Sequence, residues 1–321
     1  MPQHKFLLLT LAAAGVALAE PTQVLNVNFP DPAVIQTDQG YYAFGTQSNG
    51  VTVPVARSDD FNSWTLLDGA DALPGPFPSW VQGDNPQVWA PDVFQRGDGT
   101  FVMYFSGLSS QDNSKHCLGT ATSSSIEGPY SITDAAFTCP LDQGGAIDAS
   151  GFRDDDGTLY VLYKIDGNSL NGDGTKHPTP IILQKLQSDG ITPDGDAVTV
   201  LDRDEGGADG DLVEAPSLVK VDGTYYLSFS SNAYNTLNYD TSYATASAVG
   251  GPYTKAQAPD APLLVSGDAS NVGSLGGPGG SDFLDGGRIL FHAFNDGQSI
   301  DSGRGVWAAS VSIGNGVITI Q

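Results

Sequence analysis

The sequence has little positive charge. Thirteen lysines and arginines stand against 37 acidic residues, which gives a formal net charge of −24. Such a surface repels phosphate backbones and anionic lipid, so we exclude nucleic acid and membrane surfaces as partners, whereas a neutral polysaccharide is compatible with the charge. Highly charged chains are often disordered, but 40% of these residues are hydrophobic, which indicates a packed core.

Beyond the N-terminus, the chain lacks an apolar run long enough to cross a bilayer. The first 19 residues combine Lys5, an apolar stretch that begins at Phe6, and the ending Ala17-Leu18-Ala19, which is typical of a signal-peptide cleavage site. We therefore predict a secretory signal over residues 1–19, one domain over residues 20–321, and a secreted, extracellular protein that is a monomer.

Cysteine is also scarce, because the chain has only Cys117 and Cys139. In a secreted protein, a single pair within one structural unit is most simply a disulfide. No Cys-x-x-Cys motif is present, and the partners for a zinc site are absent from the sequence. The pattern predicts a disulfide between the two cysteines and disfavours a metal or redox role for them.

Five similar units follow one another along the chain. Each has a short strand-like run, a glycine-containing turn and an aromatic or aliphatic strand. They read DPAVIQTDQGYYAFGT (31–46), APDVFQRGDGTFVMYFSG (90–107), DASGFRDDDGTLYVLYK (148–164), EAPSLVKVDGTYYLSFS (214–230) and GPGGSDFLDGGRILFHAF (277–294). Glycine in such turns supplies the positive φ of a hairpin. The turn glycines are 58 to 66 residues apart, which suits a four-stranded blade, so the repeat predicts an all-β, five-bladed β-propeller.

Three acidic residues stand at one position of this repeat. Asp31, Asp148 and Glu214 each lie nine residues before a turn glycine, and the same offset gives Ala90 and Gly277 in the other two units. A single Asp before a turn is more often a turn cap than a catalyst. Three acids at one register, including a Glu that turn chemistry does not favour, predict carboxylates that converge on the axis for acid/base hydrolysis of a glycosidic bond.

The ordered motifs NFPDPAV, WAPDVFQ, IDASGF, VEAPSLV and ILFHAF resemble glycoside hydrolase family 43 over nearly the whole mature chain. The resemblance implies a five-bladed propeller and inverting, one-step hydrolysis. It also implies the substrates of arabinanases, α-L-arabinofuranosidases, β-xylosidases or galactanases. Related fructan and sucrose hydrolases carry different motifs at the corresponding places, so we disfavour that alternative.

The resemblance assigns a role to each carboxyl group. Asp31 matches the general base that takes a proton from water, and Glu214 matches the general acid that protonates the leaving oxygen. Asp148 matches the third carboxylate, which keeps the acid protonated and oriented. This division agrees with elementary chemistry, because one carboxyl must begin neutral and another charged, and a nearby ionised Asp raises the pKa of Glu214 by repulsion.

Aromatic residues near these motifs are candidates for substrate binding. Trp89 precedes the Ala90-Pro91-Asp92 motif and is either a platform for a sugar ring or an ordinary packing residue of its blade. Phe29 and Phe152 flank two of the carboxylates in sequence, and we predict that they wall the pocket, with packing as the alternative.

Two further residues follow from the resemblance. His292 in FHAF matches a histidine near the axial channel that is often associated with a calcium or other ion. We expect it at the axis, with core packing as the alternative and a structural Ca²⁺ in the axial channel left open. Arg304 in SGRGVW matches an arginine at the sugar-binding subsite. The hydrolysis itself needs no cofactor.

Together these observations predict a secreted inverting hydrolase of arabinan or arabinoxylan in plant cell walls, with α-L-arabinose linkages favoured. A β-xylosidase or galactanase is the alternative within the family. The fifth unit has Gly-Pro-Gly-Gly where many family members carry a histidine, which leaves the substrate open. The alternative of another class is a catalytically silent sugar-binding propeller.

Overall fold

The computed structural model describes residues 20–267, 275–284 and 287–321. The predicted signal over residues 1–19 and the turn glycine Gly286 lie outside the described residues. In the described part, β-strands form five antiparallel sheets, each with one strand nearest the axis and three or more strands outside it. The predicted five-bladed β-propeller is confirmed.

The strands follow the chain from blade to blade. The described chain opens with β1 (Thr22–Leu25). The first blade comprises β2 (Ala33–Thr37), β3 (Gly40–Phe44), β4 (Pro54–Ser58) and β5 (Thr65–Asp71). The second blade comprises β6 (Trp89–Gln95), β7 (Phe101–Leu108), β8 (His116–Ser123) and β9 (Ser131–Ile132). The third blade comprises β10 (Ala146–Arg153), β11 (Leu159–Ile165), β12 (Ile181–Leu186) and β13 (Val198–Leu201).

The last two blades differ in how they are completed. The fourth blade comprises β14 (Val213–Val221), β15 (Thr224–Ser231), β16 (Asp240–Ala246) and β17 (Thr254–Lys255). The fifth blade comprises β18 (Gly279–Leu284), β19 (Arg288–Phe294), β20 (Arg304–Gly314) and β21 (Val317–Ile320). Short 3-10 helices occur at Leu141–Gln143, Gly167–Asp173 and Ile300–Ser302. In the fifth blade β1 pairs with β20, with Thr22 opposite Ala308, so strands from both ends of the chain close the ring.

The two faces of the propeller carry different connections. At one face the inner hairpins close in tight turns, as the pairing of Thr37 with Gly40 and of Val221 with Thr224 shows. At the other face, longer segments join the strands, such as the one between β11 and β12 that contains the 3-10 helix Gly167–Asp173. Each inner strand therefore begins at the face with the long connections, which is where loops can build a site.

Apolar cores lie between neighbouring blades. Phe44 of the first blade packs in one cluster with Met103 and Phe105 of the second, and Tyr226 of the fourth blade packs in another with Phe291 of the fifth. All eight residues of β7 are buried, because a middle strand has a blade on each side. This is why the middle strands read as continuous apolar runs rather than as alternating ones.

The two cysteines form a disulfide, as predicted. Cys117 lies on β8, and its partner Cys139 follows β9 in the connection to the third blade. The bridge therefore ties this connection back to the second blade, whose Leu118 also pairs with Thr138. Among the described residues, no helix has the length and apolarity to span a membrane.

Candidate active site

The same backbone conformation recurs where each inner strand begins. Asp31, Ala90, Asp148, Ala215 and Gly280 all have positive φ, between 39° and 58°. All five line one cavity of about 50 Å³ on the axis. Such a volume exceeds the roughly 10–15 Å³ that one water needs. Positive φ is uncommon outside glycine, so its repetition in every blade identifies this as a structural feature of the repeat that directs these residues to the axis.

This register corrects the one inferred from the turn glycines. Glu214 lies one residue before the position that Asp31 and Asp148 occupy, and it pairs with Ser230 across the hairpin. The offset failed because Gly40 follows its two-residue turn, whereas Gly223 lies within its own. The structural equivalents of Asp31 and Asp148 are Ala215 in the fourth blade and Gly280, not Gly277, in the fifth.

Asp31 lies among groups that favour its charged form. Arg304 Nη1 donates to its Oδ1 at 2.9 Å, and Thr46 Oγ1 donates to its Oδ2 at 2.6 Å. Burial alone would raise the pKa of Asp31, but the charge of Arg304 and the hydrogen bond from Thr46 outweigh it and lower the pKa below its usual value. Asp31 is therefore an anion at neutral pH.

Glu214 is buried and has a partner on each carboxyl oxygen. The ammonium Nζ of Lys164 lies 2.8 Å from Oε2, and the hydroxyl of Tyr239 donates to Oε1 at 2.9 Å. Lys164 is on β11 of the preceding blade, and Tyr239 follows the long connection after β15. Two different elements thus fix the orientation of this carboxyl group.

Asp148 interacts electrostatically with both Glu214 and Asp31. Its Oδ2 accepts a hydrogen bond from the backbone N–H of Ala215 at 2.9 Å. Burial and the negative charge of Glu214, with a smaller effect of Asp31, raise the pKa of Asp148 to about 8, although Lys164 opposes the shift. Within the Asp148–Glu214 pair, Asp148 is therefore protonated at neutral pH, whereas Asp31 is ionised.

Trp89 presents an aromatic face beside the site. It starts β6, one residue before Ala90, and so occupies in the second blade the place that Glu214 has in the fourth. Its side chain is 37% exposed and stacks on the buried His116, with ring centroids 3.6 Å apart. One face of the indole packs on the imidazole, and more than a third of the residue remains exposed.

Phe29 and Phe152 do not wall the pocket, contrary to the prediction. Phe29 is completely buried and packs beneath Gly45 in the core between the fifth and first blades. Phe152 lies further along β10, against Tyr160 and Tyr225, and lines a separate cavity at the opposite end of the axis. For Phe152, proximity in sequence to Asp148 failed because successive residues of a strand point to opposite faces and move away from the mouth, whereas Phe29 lies in the connection between β1 and β2 and turns into the core.

Arg304 contacts Asp31 directly, so its nearest partner is the predicted base. Its guanidinium carbon also lies 4.9 Å from the ring centre of Tyr234, a residue that is 47% exposed on the connection between β15 and β16. Tyr234, Lys164 and Tyr239 were all missed in the sequence. A signal existed only for Lys164, which is a lone cation at the end of the apolar strand LYVLYK.

A second pair of carboxyl groups lies deeper on the same axis. Asp92 and Asp282 stand two residues after Ala90 and Gly280, and both line the axial cavity. Asp92 accepts from the backbone N–H of Gly151 at 2.6 Å. Asp282 accepts from the N–H of Val34 at 2.7 Å and from the hydroxyl of Ser217 at 2.8 Å. Burial and the charge of Asp282 raise the pKa of Asp92 to about 8, and burial raises the pKa of Asp282 to about 6.

The atoms around His292 do not fit a cation. The backbone N–H of Asp31 donates to Nδ1 at 3.1 Å, so Nε2 carries the hydrogen of the neutral ring. Burial and the charge of Arg304 lower the pKa of His292 to about 3, with Asp31 opposing, which keeps the ring neutral. Nε2 is buried without a hydrogen-bond partner, and an N–H donor repels a cation. Within residues 20–267, 275–284 and 287–321, no group of three His, Cys, Asp or Glu side chains is arranged for a metal.

Comparison with known proteins gives a matching family model and curated relatives. The family model described as Glycosyl hydrolases family 43 matches residues 21–318. Extracellular endo-alpha-(1->5)-L-arabinanase 1 of Bacillus subtilis (strain 168) is 28% identical over 278 residues, which cover 83% of this chain and 80% of that protein. Xylan 1,3-beta-xylosidase of a Vibrio species is 28% identical over 247 residues, 74% of this chain and 42% of that protein.

The chain spans only part of some relatives, such as 38% of the extracellular endo-alpha-(1->5)-L-arabinanase 2 of Bacillus subtilis. Among solved structures, a thermostable family-43 glycoside hydrolase superimposes with a TM-score of 0.80 at 24% identity, covering 94% of this chain and 96% of that one. That likeness concerns the fold alone. Because the family model spans nearly all of the described residues, the chain belongs to glycosyl hydrolases family 43 and is a glycoside hydrolase.

Proposed function

We propose that this protein is a secreted, inverting hydrolase of α-L-arabinose linkages in plant cell-wall polysaccharide, acting as an α-L-arabinofuranosidase or an arabinanase. The observation that supports it is electrostatic. Carboxyl groups from three blades meet at one end of the axis, and their surroundings move pKa values in opposite directions: Asp31 is held ionised, whereas burial and the charge of Glu214 keep Asp148 protonated within the Asp148–Glu214 pair. Carboxyl groups tuned in opposite directions provide the base and the acid of glycoside hydrolysis.

In this proposal, Asp31 is the general base. Its carboxylate takes a proton from a water as that water attacks the anomeric carbon. The ion pair with Arg304 and the hydrogen bond from Thr46 hold the carboxylate in one orientation. These contacts make Asp31 a weaker base. They also keep it unprotonated at every pH at which the Asp148–Glu214 pair keeps its proton.

Glu214 is the general acid, and Asp148 controls its proton. The proton of the pair passes from Glu214 to the glycosidic oxygen, which leaves as an alcohol when the bond to the anomeric carbon breaks. Afterwards Asp31 is protonated and Glu214 is charged, and exchange with solvent restores both. An inverting reaction requires the base and acid carboxyls roughly 6.5–9.5 Å apart, so that the water fits between base and sugar.

The arabinose preference draws on the relatives. The Bacillus subtilis protein named an arabinanase aligns over 80% of its own length, whereas the Vibrio xylosidase aligns over 42% of its length. A neutral polymer such as arabinan or arabinoxylan also suits a chain with a net charge of −24. The xylosidase gives a second candidate, β-xylosidase activity, and galactan is the third substrate to test.

Substrate contacts are proposed for three residues at this end of the axis. The exposed face of Trp89 is suited to the C–H face of a sugar ring, and Tyr234 offers a second aromatic surface beside Arg304. Arg304 is suited to a dual role, since the guanidinium that binds Asp31 is 12% exposed.

The test is chromatography of the products after incubation with linear 1,5-arabinan, arabinoxylan, xylo-oligosaccharides and galactan in parallel. Free arabinose identifies an exo-acting enzyme, arabino-oligosaccharides identify an endo-acting one, and xylose alone replaces the proposed substrate by a xyloside. Proton NMR of the first product determines whether the anomeric configuration inverts. Binding without any product supports the silent sugar-binding alternative.

Secretion is proposed from the leader sequence and from relatives that are named extracellular. Expression of the full chain in a secreting host should place the protein in the culture medium, with Glu20 as its first residue. Retention in the cells with an intact N-terminus would contradict both the signal over residues 1–19 and the extracellular location.

A further inference from the structure

Lys164 is a completely buried lysine that contacts two carboxyl groups. Its Nζ lies 2.8 Å from Glu214 Oε2 and 3.0 Å from Asp166 Oδ1, and its side chain has no exposed surface. Removing an ammonium group from water costs several kcal/mol, so a buried lysine is retained only where its partners compensate. Because one partner is the proposed general acid, this ion pair lies within reach of the chemistry.

Comparison of the five blades shows that a cation is exceptional at the position that Lys164 occupies. In four blades, the residue that faces the start of the inner strand accepts a hydrogen bond from the backbone N–H that opens the next inner strand. These acceptors are Thr46 for Ala90, Ser106 for Asp148, Ser230 for Gly280 and His292 for Asp31. All four are neutral at neutral pH.

The third blade breaks this pattern. Lys164 occupies the corresponding place, opposite Ile147, and cannot accept a hydrogen bond. The N–H of Ala215, which opens the next inner strand, donates to Asp148 instead. The exchange removes a structural hydrogen bond from the repeat and puts a positive charge in contact with Glu214.

The charged and titratable groups around this pair come from every neighbouring element. Lys164 and Asp166 belong to the third blade, Tyr239 to the fourth, His292 and Arg304 to the fifth, Asp31 to the first, and His116, which interacts with Asp166, to the second. Lys164 and Arg304 are the cations among them, and Arg304 is committed to Asp31. Lys164 is thus the cation that acts on Glu214 at contact distance.

We propose that Lys164 is a positioning residue for this reaction: its ammonium group holds the Glu214 carboxyl in place and sets the pH at which the Asp148–Glu214 pair loses its proton, with Asp166 as its counter-ion. The inference rests on the proposed acid role of Glu214. Its sign follows from electrostatics, because a cation stabilises the charged form of a carboxyl and so favours loss of the proton at lower pH.

The first variant is Lys164→Met, which keeps the aliphatic stem and removes the charge. The basic limb of the kcat/KM profile, which reports loss of the acid's proton, should move up by about 1–3 pH units. Misplacement of Glu214 should lower kcat by about 100-fold on unactivated oligosaccharides and by less on a 4-nitrophenyl glycoside, whose leaving group needs little protonation. Lys164→Arg should restore the position of the limb.

A matched control is Lys220→Met. Lys220 lies on the same strand as Glu214 but at the other face, where it also contacts two carboxyl groups, Asp154 at 2.6 Å and Asp155 at 2.9 Å. This variant should lower the melting temperature without moving the pH profile. If Lys164→Met behaves in the same way, with an unmoved limb and equal losses on both substrates, Lys164 has only a structural role and the inference is overturned.

Asp166→Asn keeps the lysine and should shift the basic limb in the opposite direction. It also tests the proposal if Lys164→Met does not fold. With its counter-ion neutral, Lys164 acts more strongly on the pair, so the basic limb should move to lower pH. A shift in the same direction as Lys164→Met, or no shift, contradicts the proposal.

A measurement without turnover separates this inference from the proposed function. Carbon-13 NMR of the side-chain carboxyls, assigned with Asp148→Asn and Glu214→Gln, follows the titration of the pair directly. Its midpoint should rise in Lys164→Met and fall in Asp166→Asn. If both shifts occur in a protein that hydrolyses none of the substrates, the proposed function fails, and only the control of the titration of the pair by Lys164 stands. If hydrolysis is normal but the midpoints do not move, the inference alone fails.

Discussion

The axis of this propeller carries carboxyl groups at two depths, and their surroundings differ. At the mouth, Asp31 is paired with Arg304 and Glu214 with Lys164, so side-chain cations from neighbouring blades set their charges. Two residues deeper, Asp92 and Asp282 bind backbone N–H groups and one hydroxyl, and no cation contacts either of them in the part of the chain that the structure describes.

The difference distinguishes carboxyl groups that can take part in hydrolysis from carboxyl groups that hold the blades together. A carboxyl group held by cations can be kept charged, or can share a proton with a neighbour, and both states are needed for hydrolysis. A carboxyl group held by main-chain donors of another blade links blades: Asp92 joins the second to the third, and Asp282 joins the fifth to the first and the fourth. We therefore expect substitutions at the mouth to affect rate and substitutions at depth to affect stability.

The largest expected effect is that of Asp31→Asn. Asparagine tolerates the positive φ at this position and is nearly isosteric, so the fold should be preserved. Loss of the base should reduce kcat/KM by about 10²–10⁴-fold on every substrate, including aryl glycosides with good leaving groups. Asp92→Asn is the matched control at depth and should stay within about threefold of the wild type, since at neutral pH it replaces a protonated carboxyl by another neutral group. Full activity of Asp31→Asn would mean that the water is activated elsewhere.

Glu214→Gln should produce the next largest loss, and one that depends on the leaving group. The amide cannot donate a proton to the glycosidic oxygen, so hydrolysis of arabinan should fall by about 10²–10⁴-fold, with a much smaller loss on 4-nitrophenyl arabinofuranoside. Binding of the oligosaccharide, measured by calorimetry, should persist. An equal loss on both substrates would remove the acid assignment.

The deeper pair should control the pH dependence of stability. The folded-state pKa of Asp92 is raised to about 8, so its contribution to stability is present at low pH and is lost as the pH rises from about 4 towards 8. Asp92→Asn should flatten the melting temperature over that window, by a few °C at the upper end. The pKa of Asp148 is raised in the same way, so Asp148→Asn should flatten the pH dependence of the melting temperature further. If the melting temperatures of wild type and Asp92→Asn change with pH in parallel, Asp92 and Asp282 do not cause the pH dependence of stability.

Much of this molecule was predictable from its sequence, for reasons that lie in the repeat. The five turn-and-strand units predicted the blades, and the cysteine pair predicted the disulfide, because local turn chemistry and strand periodicity are written in adjacent residues. The register of Glu214 was wrong by one, since glycine occupies different places in two-residue turns. Lys164, Tyr239 and Tyr234 were not identified, because their role depends on which blades become neighbours. Distance in sequence to a carboxylate predicts neither the burial of Phe29, which lies outside a strand, nor the position of Phe152 along β10.

A smaller effect is expected for the aromatic residues at the two ends of the axis. Trp89→Ala removes the exposed face beside the mouth and should raise KM by about tenfold, equivalent to about 1.4 kcal/mol, with little change in kcat. Phe152→Leu is the matched change at the opposite end and should leave KM unaltered while lowering the melting temperature. If both variants leave KM unchanged, Trp89 is a packing residue of its blade.

The smallest effect is expected from chelation. His292 accepts the N–H of Asp31 at Nδ1 and therefore presents an N–H, not a lone pair, at Nε2. A cation at that atom would have to displace a proton from a neutral imidazole beside Arg304, whose charge opposes it. Extensive dialysis against EDTA should thus leave both kcat and the melting temperature unchanged. A loss that added Ca²⁺ reverses would place an ion in the channel, and with it the opposite ring tautomer and a different partner for the backbone of Asp31.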